Sequence, residues 1–188
     1  MATTKKDTQI TTGEVRASYV YVFEPRQDEY GNEDKYSMMV LIPKTDLVTI
    51  SKYEKALKAA KELGKNTKFG GKIPAKINEP LRDGDEERPG EPDYEGMYFM
   101  NISSKQKPQI VKKVNDQPYF ITSPDDFYSG CYAKVSINLF PYNTNGNKGI
   151  AAGMNNIFKT RDGDYLGGRS SAIDDFADEF DADLDELF

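Results

Sequence analysis

The amino-acid sequence predicts a mainly β protein: a small barrel with one added helix and an acidic C-terminal tail. Three observations predict this class. Five to seven stretches are strand-like, one stretch has apolar residues at helical spacing, and the last fifteen residues hold eight carboxylates and no Lys or Arg. Short strands separated by many turn residues, with one helix inserted among them, pack naturally as a small barrel.

Length and charge define the domain organisation. The 188 residues suffice for one domain and an appendage, and the hydrophobic fraction of 37% supports a packed interior. The net charge of -6 would argue against a polyanionic partner, but residues 1–173 alone carry 25 basic and 23 acidic side chains, a net of +2. We therefore predict a mobile N-terminus (1–12), a folded domain (13–173) and an acidic tail (174–188).

The first two strands are predicted to form a hairpin. In GEVRASYVYVFEP (13–25), apolar and polar residues alternate with the period of a strand, and Pro25 ends it. One face of this strand is predicted to carry Val15, Ala17, Tyr19, Tyr21 and Phe23. The following KYSMMVLIP (35–43) is an apolar run of strand length, which indicates a partner strand buried on both faces.

A helix and a long loop follow. Asp46 is a suitable N-cap for LVTISKYEKALKAAKELG (47–64), which has apolar residues at helical spacing and a Gly64 that predicts its end. The stretch 66–92 is rich in Gly, Pro and charge, so we expect it to be a long loop without regular structure.

The remaining strands are predicted at 94–103, 108–114 and 129–142, with a return strand after the turn NTNGNKG (143–149). In the strand 129–142, alternate residues from Cys131 to Leu139 form an apolar face, and we expect Cys131 to be a buried thiol rather than a nucleophile. The opposite face mixes rings with a cation and polar groups. Its members are Tyr132, Lys134, Ser136, Asn138, Phe140 and Tyr142.

The composition argues against an enzyme. Without histidine and with one cysteine, the chain lacks the residues that most metal sites and nucleophilic mechanisms need, so we predict no catalytic residue, metal or cofactor. The acidic run DADLDE (181–186) lacks the glycine and the closing Glu of a calcium loop, and GNKGIAAG (146–153) lacks the order of a phosphate loop. No membrane span or signal peptide is visible, which predicts a cytoplasmic protein without a membrane partner.

Aromatic residues interleaved with basic ones indicate nucleic-acid binding, because bases stack on rings while cations follow phosphates. Each ring could instead pack in the core, and each cation could belong to an ordinary solvated surface. The predicted DNA-binding residues are Arg16, Tyr19, Tyr21, Lys105, Lys107, Tyr132, Lys134, Phe140, Tyr142, Lys148, Phe158, Lys159 and Arg161.

Several segments, in this order, resemble a known family. KYSMMVLIPK, RDGDEE, YEGMYFMNISSKQKPQIV, YSGCYAKVSINLFPYNTNGNKGIAAGMNNI and LGGRSSAIDDF together are similar to a tailed-phage family, formerly a domain of unknown function, of OB-fold single-stranded-DNA-binding proteins. The resemblance covers about residues 13–176, and FPYNTNGNKGIAAGMNNI is its most specific stretch. It implies a five-stranded OB-fold-like barrel, with extra strands, that coats single-stranded DNA during phage replication or recombination in the cytoplasm of an infected bacterium.

The tail has three interpretations. Its apolar residues lie at helical spacing, so it could pack on the domain as an amphipathic helix, or it could be a solvating anionic extension. The third interpretation is a linear ligand that competes with DNA and recruits phage or host replication and recombination proteins through Asp185, Glu186, Leu187 and Phe188. The resemblance supports the third, since other phage and bacterial single-strand binders also end in an acidic tail closing on Phe.

Two other functions remain open at this level. A virion or assembly protein could use the acidic tail to dock on a basic partner, and an inhibitor of the host could mimic DNA with an acidic surface. The net charge of +2 outside the tail speaks against DNA mimicry. RNA is a further candidate ligand, because stacking on rings does not distinguish the two sugars.

Overall fold

The computed structural model describes residues 6–27, 29–31, 35–166 and 176–180. Two helices and a 3-10 turn interrupt the strands, and a short helix lies in the tail: α1 Leu47–Thr67, α2 Gly84–Glu87, the turn Pro92–Tyr94 and α3 Ala177–Phe180. The strands in the described part of the chain are β1 Gln9–Thr11, β2 Val15–Tyr21, β3 Tyr36–Pro43, β4 Leu81–Asp83, β5 Met97–Ser104, β6 Gln109–Val114, β7 Gln117–Phe120, β8 Tyr132–Thr144 and β9 Asn147–Arg161.

Five of these strands close into a barrel. The order around it is β2, β3, β5, β9 and β8, and β8 pairs with β2 again. All of these pairs are antiparallel except β5 with β9, which run parallel and meet at Ser103 and Gly153. Outside the barrel, β1 pairs with β8, β4 with β5, and the β6–β7 hairpin with β9. The predicted small barrel with extra strands and one inserted long helix is confirmed.

Strand β3 is buried on both faces, as its apolar sequence predicts. Five consecutive residues from Met38 to Ile42 are each no more than 5% exposed. Alternate residues, such as Val40, join the main core, while Met39 and Leu41 form a second cluster with Tyr94 and Phe99. The segment between β4 and β5 therefore covers one end of the outer face of the barrel.

Strand β2 departs from the predicted alternation. The pairing with β3 shifts register between Ser18 and Tyr21, and Tyr19 has a left-handed φ of +48°. Beyond this bulge the sides of the strand are exchanged, so that Val22 is fully buried while Tyr19 and Tyr21 are 57% and 41% exposed. The prediction that both tyrosines share a face with Val15 and Ala17 is wrong for this reason.

Helix α1 begins where the sequence predicts. The Thr49 backbone N–H donates to Asp46 Oδ1 at 3.1 Å, which is the expected N-cap bond. The predicted end at Gly64 is wrong, because the helix continues to Thr67. Gly64 instead allows close packing: a Cβ at this position would lie 2.7 Å from the Pro141 Cβ.

Two segments are more ordered than the sequence predicts. Residues 9–11 were expected in a mobile N-terminus, but they form β1, and Ile10 is buried where β1 pairs with β8. The expected loop 66–92 contains β4 and α2. Lys44 Nζ lies 2.7 Å from the Asp83 carboxylate and 2.8 Å from that of Asp85, so an ion pair distant in sequence attaches this segment to the end of β3.

The β8–β9 hairpin agrees with the sequence analysis. Asn145 and Gly146 both have positive φ, as a tight reversal of two strands requires. The apolar face of β8 is buried, and Cys131 just before it is fully buried. Burial raises the pKa of the Cys131 thiol, as expected of an unreactive core cysteine.

Candidate nucleic-acid interface

The outer face of β3 and β5 forms the floor of a groove. At one end of this face Leu41 and Phe99 are covered, as described above. At the other end the outward residues are the small polar side chains of Ser37, Asn101 and Ser103, which are exposed or half-buried. A ligand can therefore approach the strands closely at the open end.

Aromatic and basic side chains surround this floor. The bulge in β2 brings Tyr19 and Tyr21 to the groove, and Arg26 follows them in the loop that leads to β3. Arg88, which follows α2, lies over the Tyr94 ring at 5.7 Å from its centroid and also lines the groove. Together these side chains and the floor enclose a cavity of about 530 Å³.

The groove continues across Ser103 onto β9 and β8. A second cavity of about 370 Å³ shares Ser103 with the first and is also lined by Lys35, Lys105 and Phe140. Phe140 is 40% exposed and lies beside Gly153, at the point where β9 runs parallel to β5. We refer to the two cavities together as the groove.

The charge of the groove is positive. Its described lining includes four cations and no carboxylate: Arg26, Lys35, Arg88 and Lys105. Three exposed rings, Tyr19, Tyr21 and Phe140, accompany them. This combination of stacking surfaces and cations is the one that binds single-stranded nucleic acids.

Four of the thirteen predicted residues lie in the groove, namely Tyr19, Tyr21, Lys105 and Phe140. Sequence reasoning missed Arg26, Lys35 and Arg88. Arg26 and Lys35 flank the turn between the first two predicted strands. Because such a turn lies at one end of a barrel, two basic residues beside it could have been recognised in the sequence as candidates for a site there. Arg88 lies in the segment expected to be an unstructured loop, where no pattern in the sequence indicated its position.

Three further predicted residues form a separate group, which we call the Tyr132 cluster: Arg16, Tyr132 and Arg161, with Glu14. The Arg161 guanidinium lies over the Tyr132 ring at 3.7 Å, and its Nε donates to Glu14 Oε1 at 3.1 Å. Arg16 donates to the carbonyl oxygens of Gly130 and Asp164. The pKa of Glu14 is held below its usual value mainly by the hydrogen bond from Thr160, and secondarily by the hydrogen bond and positive charge of Arg161.

The other predicted residues lie elsewhere. The Lys159 side chain is only 9% exposed and donates to the Asp126 carbonyl and the Asp162 carboxylate, so it is engaged within the protein. Tyr142 packs over Gly149, beside Lys148 in the β8–β9 hairpin. Lys107 is exposed in the turn between β5 and β6. Lys134 and Phe158 are paired across β8 and β9.

The chain leaves the barrel next to the groove. After β9, Tyr165 stacks on Tyr128 with ring centroids 4.3 Å apart, and Leu166 packs against the cluster that contains Met39. Met39 also lines the groove. The predicted partner-binding residues Asp185, Glu186, Leu187 and Phe188 lie outside the described residues.

The described residues offer neither a cluster of metal ligands nor a membrane-spanning helix. No group of three or more His, Cys, Asp or Glu side chains there is arranged to hold a metal ion. Within the same ranges, no helix has the length and apolar character needed to cross a membrane.

The fold and the groove define a class of protein. A five-stranded barrel with a basic and aromatic groove on its second and third strands, β3 and β5, is an OB-like fold of the kind that binds oligonucleotides on this face. Residues 8–187 match the family described as "Enterobacter phage Enc34, ssDNA-binding protein", and the chain belongs to this family. The family resemblance found in the sequence is thereby confirmed.

Individual relatives agree with this assignment. "Putative protein p50" of Acyrthosiphon pisum secondary endosymbiont phage 1 is 33% identical over 193 residues, which cover 95% of this chain and 98% of p50. The single-stranded DNA-binding protein from bacteriophage Enc34, solved in complex with ssDNA, is 26% identical with a TM-score of 0.71 over 88% of this chain and 97% of that one. Gp2.5, a single-stranded DNA binding protein encoded by bacteriophage T7, shares the fold at 16% identity and a TM-score of 0.55, over 93% and 95% of the two chains.

Proposed function

We propose that this protein binds single-stranded DNA in the groove, without catalysis and with little preference for sequence. The observation that carries the proposal is that the groove brings together three exposed rings and four cations, with no carboxylate in its described lining. The similarity to the Enc34 protein, whose structure contains ssDNA, supports the same ligand.

The chemistry of the groove explains tolerance of sequence. Every base has a π face, so stacking on Tyr19, Tyr21 and Phe140 would contribute about 1–3 kcal/mol per base whatever the base is. The four cations would contact phosphates, which are the same at every position. If each neutralises one phosphate, the logarithm of the binding constant should fall with the logarithm of salt concentration with a slope of roughly -3.

The biological role follows from binding of this kind. A protein that covers single strands regardless of sequence would protect them during phage DNA replication and recombination. We place this activity in the cytoplasm of the infected bacterial cell, where the single-stranded intermediates of phage DNA arise.

We also propose that the acidic tail competes with DNA for the groove. The support is the position of Leu166, which packs on the cluster that includes the groove residue Met39. The 22 residues that follow Leu166 could reach roughly 70 Å if extended, which is ample to cover the groove. When DNA displaces the tail, Asp185, Glu186, Leu187 and Phe188 would become available to partner proteins.

The test is a fluorescence-anisotropy titration of a labelled single-stranded oligonucleotide with the full chain and with residues 1–173. Both proteins should bind, and the truncated one should bind several-fold more tightly at low salt, with a smaller difference at moderate salt because charge competition is screened. A duplex of the same sequence is the control for strand preference. Failure of both proteins to bind would refute the proposed function, while equal affinities would refute only the competition by the tail.

A further inference from the structure

A second aromatic and basic surface lies on the barrel away from the groove. The pairing registers align Lys134 on β8 with Phe158 on β9, Phe158 with Val111 on β6, and Val111 with Phe120 on β7. This row crosses four adjacent strands. Lys134 is exposed. All four residues of β7 are exposed as well, and Phe120 has 58% of its surface accessible.

A cavity of about 400 Å³ lies beside this row. Phe158, Lys112 and Lys113 line it. Lys113 is exposed, and Lys112 lies 5.4 Å from the centroid of the Tyr119 ring. Lys112 and Tyr119, which are paired across β6 and β7, face the opposite side of this hairpin from Phe120. We therefore call Lys113, Phe120, Lys134 and Phe158 the distal patch.

Two acidic groups close to the distal patch, Asp162 and Glu14, already accept hydrogen bonds. Asp162 also lines the cavity, but its carboxylate accepts from Lys159, which holds the pKa of Asp162 below its usual value. Glu14 is near Lys134, but it accepts hydrogen bonds from Thr160 and Arg161. These two carboxylates are thus paired with other residues, while Lys113 and Lys134 are exposed.

The distal patch is continuous with the groove along β8 and β9. The outward residues of β8 between Phe140, in the groove, and Lys134, in the patch, are Ser136 and Asn138. Asn155 Nδ2 donates to Ser136 Oγ at 3.4 Å, so the intervening surface is polar. Phe140 lies six positions after Lys134 along β8, which corresponds to a distance of about 20 Å.

We propose that the distal patch is a second contact site for single-stranded DNA, which extends the bound strand from the groove along the outer face of β8 and β9. This inference rests on the proposed function. Phe120 and Phe158 provide surfaces for bases, while Lys113 and Lys134 lie where the phosphates of the extended strand would pass. Single-stranded DNA is the occupant that matches both the lysines and the unbroken connection to the groove.

The test compares short and long oligonucleotides. With the full chain, K113Q/K134Q should leave the affinity for an oligonucleotide of about 4 nucleotides unchanged, because the groove alone holds it. For about 16 nucleotides the affinity should fall about tenfold at low salt, and the magnitude of the salt slope should decrease by about 1.4. The matched control is K55Q/K58Q, which removes two exposed lysines from α1 and the same total charge.

A second variant separates stacking from charge. F120S removes an exposed ring at a strand edge and should weaken binding of the long oligonucleotide only, with an unchanged midpoint of thermal unfolding as evidence of an intact fold. The proposal would be overturned if the variants lost equal affinity for both oligonucleotide lengths. It would also be overturned if K113Q/K134Q and F120S both bound the long oligonucleotide as tightly as the unaltered protein does. Failure of the unaltered protein to bind any single strand would instead refute the proposed function itself.

Discussion

The groove and the Tyr132 cluster are built from the same residue types and differ in what those residues already contact. In the groove, Tyr19 and Tyr21 are exposed and line a cavity together with Arg26. In the cluster, Arg161 is stacked on Tyr132 and bonded to Glu14. An aromatic and basic composition is therefore insufficient evidence for a nucleic-acid site, because the cations must also be free of carboxylates that neutralise them.

The difference has an energetic basis. A phosphate that approached Arg161 would meet a cation whose charge is already partly neutralised by the carboxylate of Glu14, and that carboxylate would repel it, so the net gain would be smaller. Arg16 likewise donates to two backbone carbonyls that would lose their partner. In the groove, Arg88 lies over the Tyr94 ring, but Tyr19, Tyr21 and Phe140 are exposed, so bases can stack on them without separating an ion pair within the described residues.

The largest expected effect comes from removing rings on the two surfaces. Y19A/Y21A should weaken binding of a short single-stranded oligonucleotide by about 30-fold or more, since two stacked rings are lost at about 1–3 kcal/mol each. Y132A should stay within about threefold of the unaltered protein in the same anisotropy titration.

Both variants must first be shown to fold, by circular dichroism and thermal unfolding. Tyr19 and Tyr21 are largely exposed, so their loss should change stability little, whereas Y132A removes the surface on which Arg161 stacks. Equal losses of affinity in the two variants would remove the distinction between the groove and the cluster.

A smaller effect is expected from the groove arginines. R26Q/R88Q should lower the magnitude of the salt slope by about 1.4, because about 0.7 is lost for each phosphate contact with a single strand. The measurement is a series of titrations of a short single-stranded oligonucleotide, which the groove alone can hold, between low and moderate salt. R161Q is the control, because it neutralises an arginine outside the groove and should leave the salt slope unchanged. If R161Q lowered the magnitude of the salt slope by as much as each groove arginine does, the groove would not be the binding site.

The smallest effect is expected on stability, from R161Q. The pKa of Glu14 is lower in the folded protein than in the unfolded chain. The ionised Glu14 therefore stabilises the fold at pH values above its unfolded pKa, and this stabilisation is lost as the pH falls through its folded pKa. Because the Thr160 bond remains and the ion pair is partly exposed, R161Q should lower the free energy of unfolding only slightly at pH 7. Urea unfolding at pH 7 and pH 3 should show this difference shrinking at the lower pH, and a difference that grew on acidification would contradict the role of Glu14.

Local sequence patterns predicted the helices and strands well where the spacing of apolar residues stays regular along the whole element. The burial of β3 on both faces, the cap of α1 at Asp46 and the turn at Asn145 each depend on neighbouring residues, so short-range physics suffices. The pattern failed in β2, where one extra residue at Tyr19 exchanges the two sides of the strand. It also failed for the segment around Asp83, whose order comes from an ion pair with Lys44, 39 positions away.

The amino-acid sequence was enough to establish a β barrel, a positively charged domain with an acidic tail, and the family, because periodicity, charge and motif order are properties of the chain read along its length. Which rings and cations lie together in one groove was decided by the tertiary structure. The bulge turns Tyr19 and Tyr21 outward, barrel closure brings Phe140 and Lys105 to the same groove, and the packing of the segment after α2 adds Arg88. The physical reason is that a binding site depends on distances between residues far apart in sequence and on hydrogen bonds already made, neither of which a linear pattern contains.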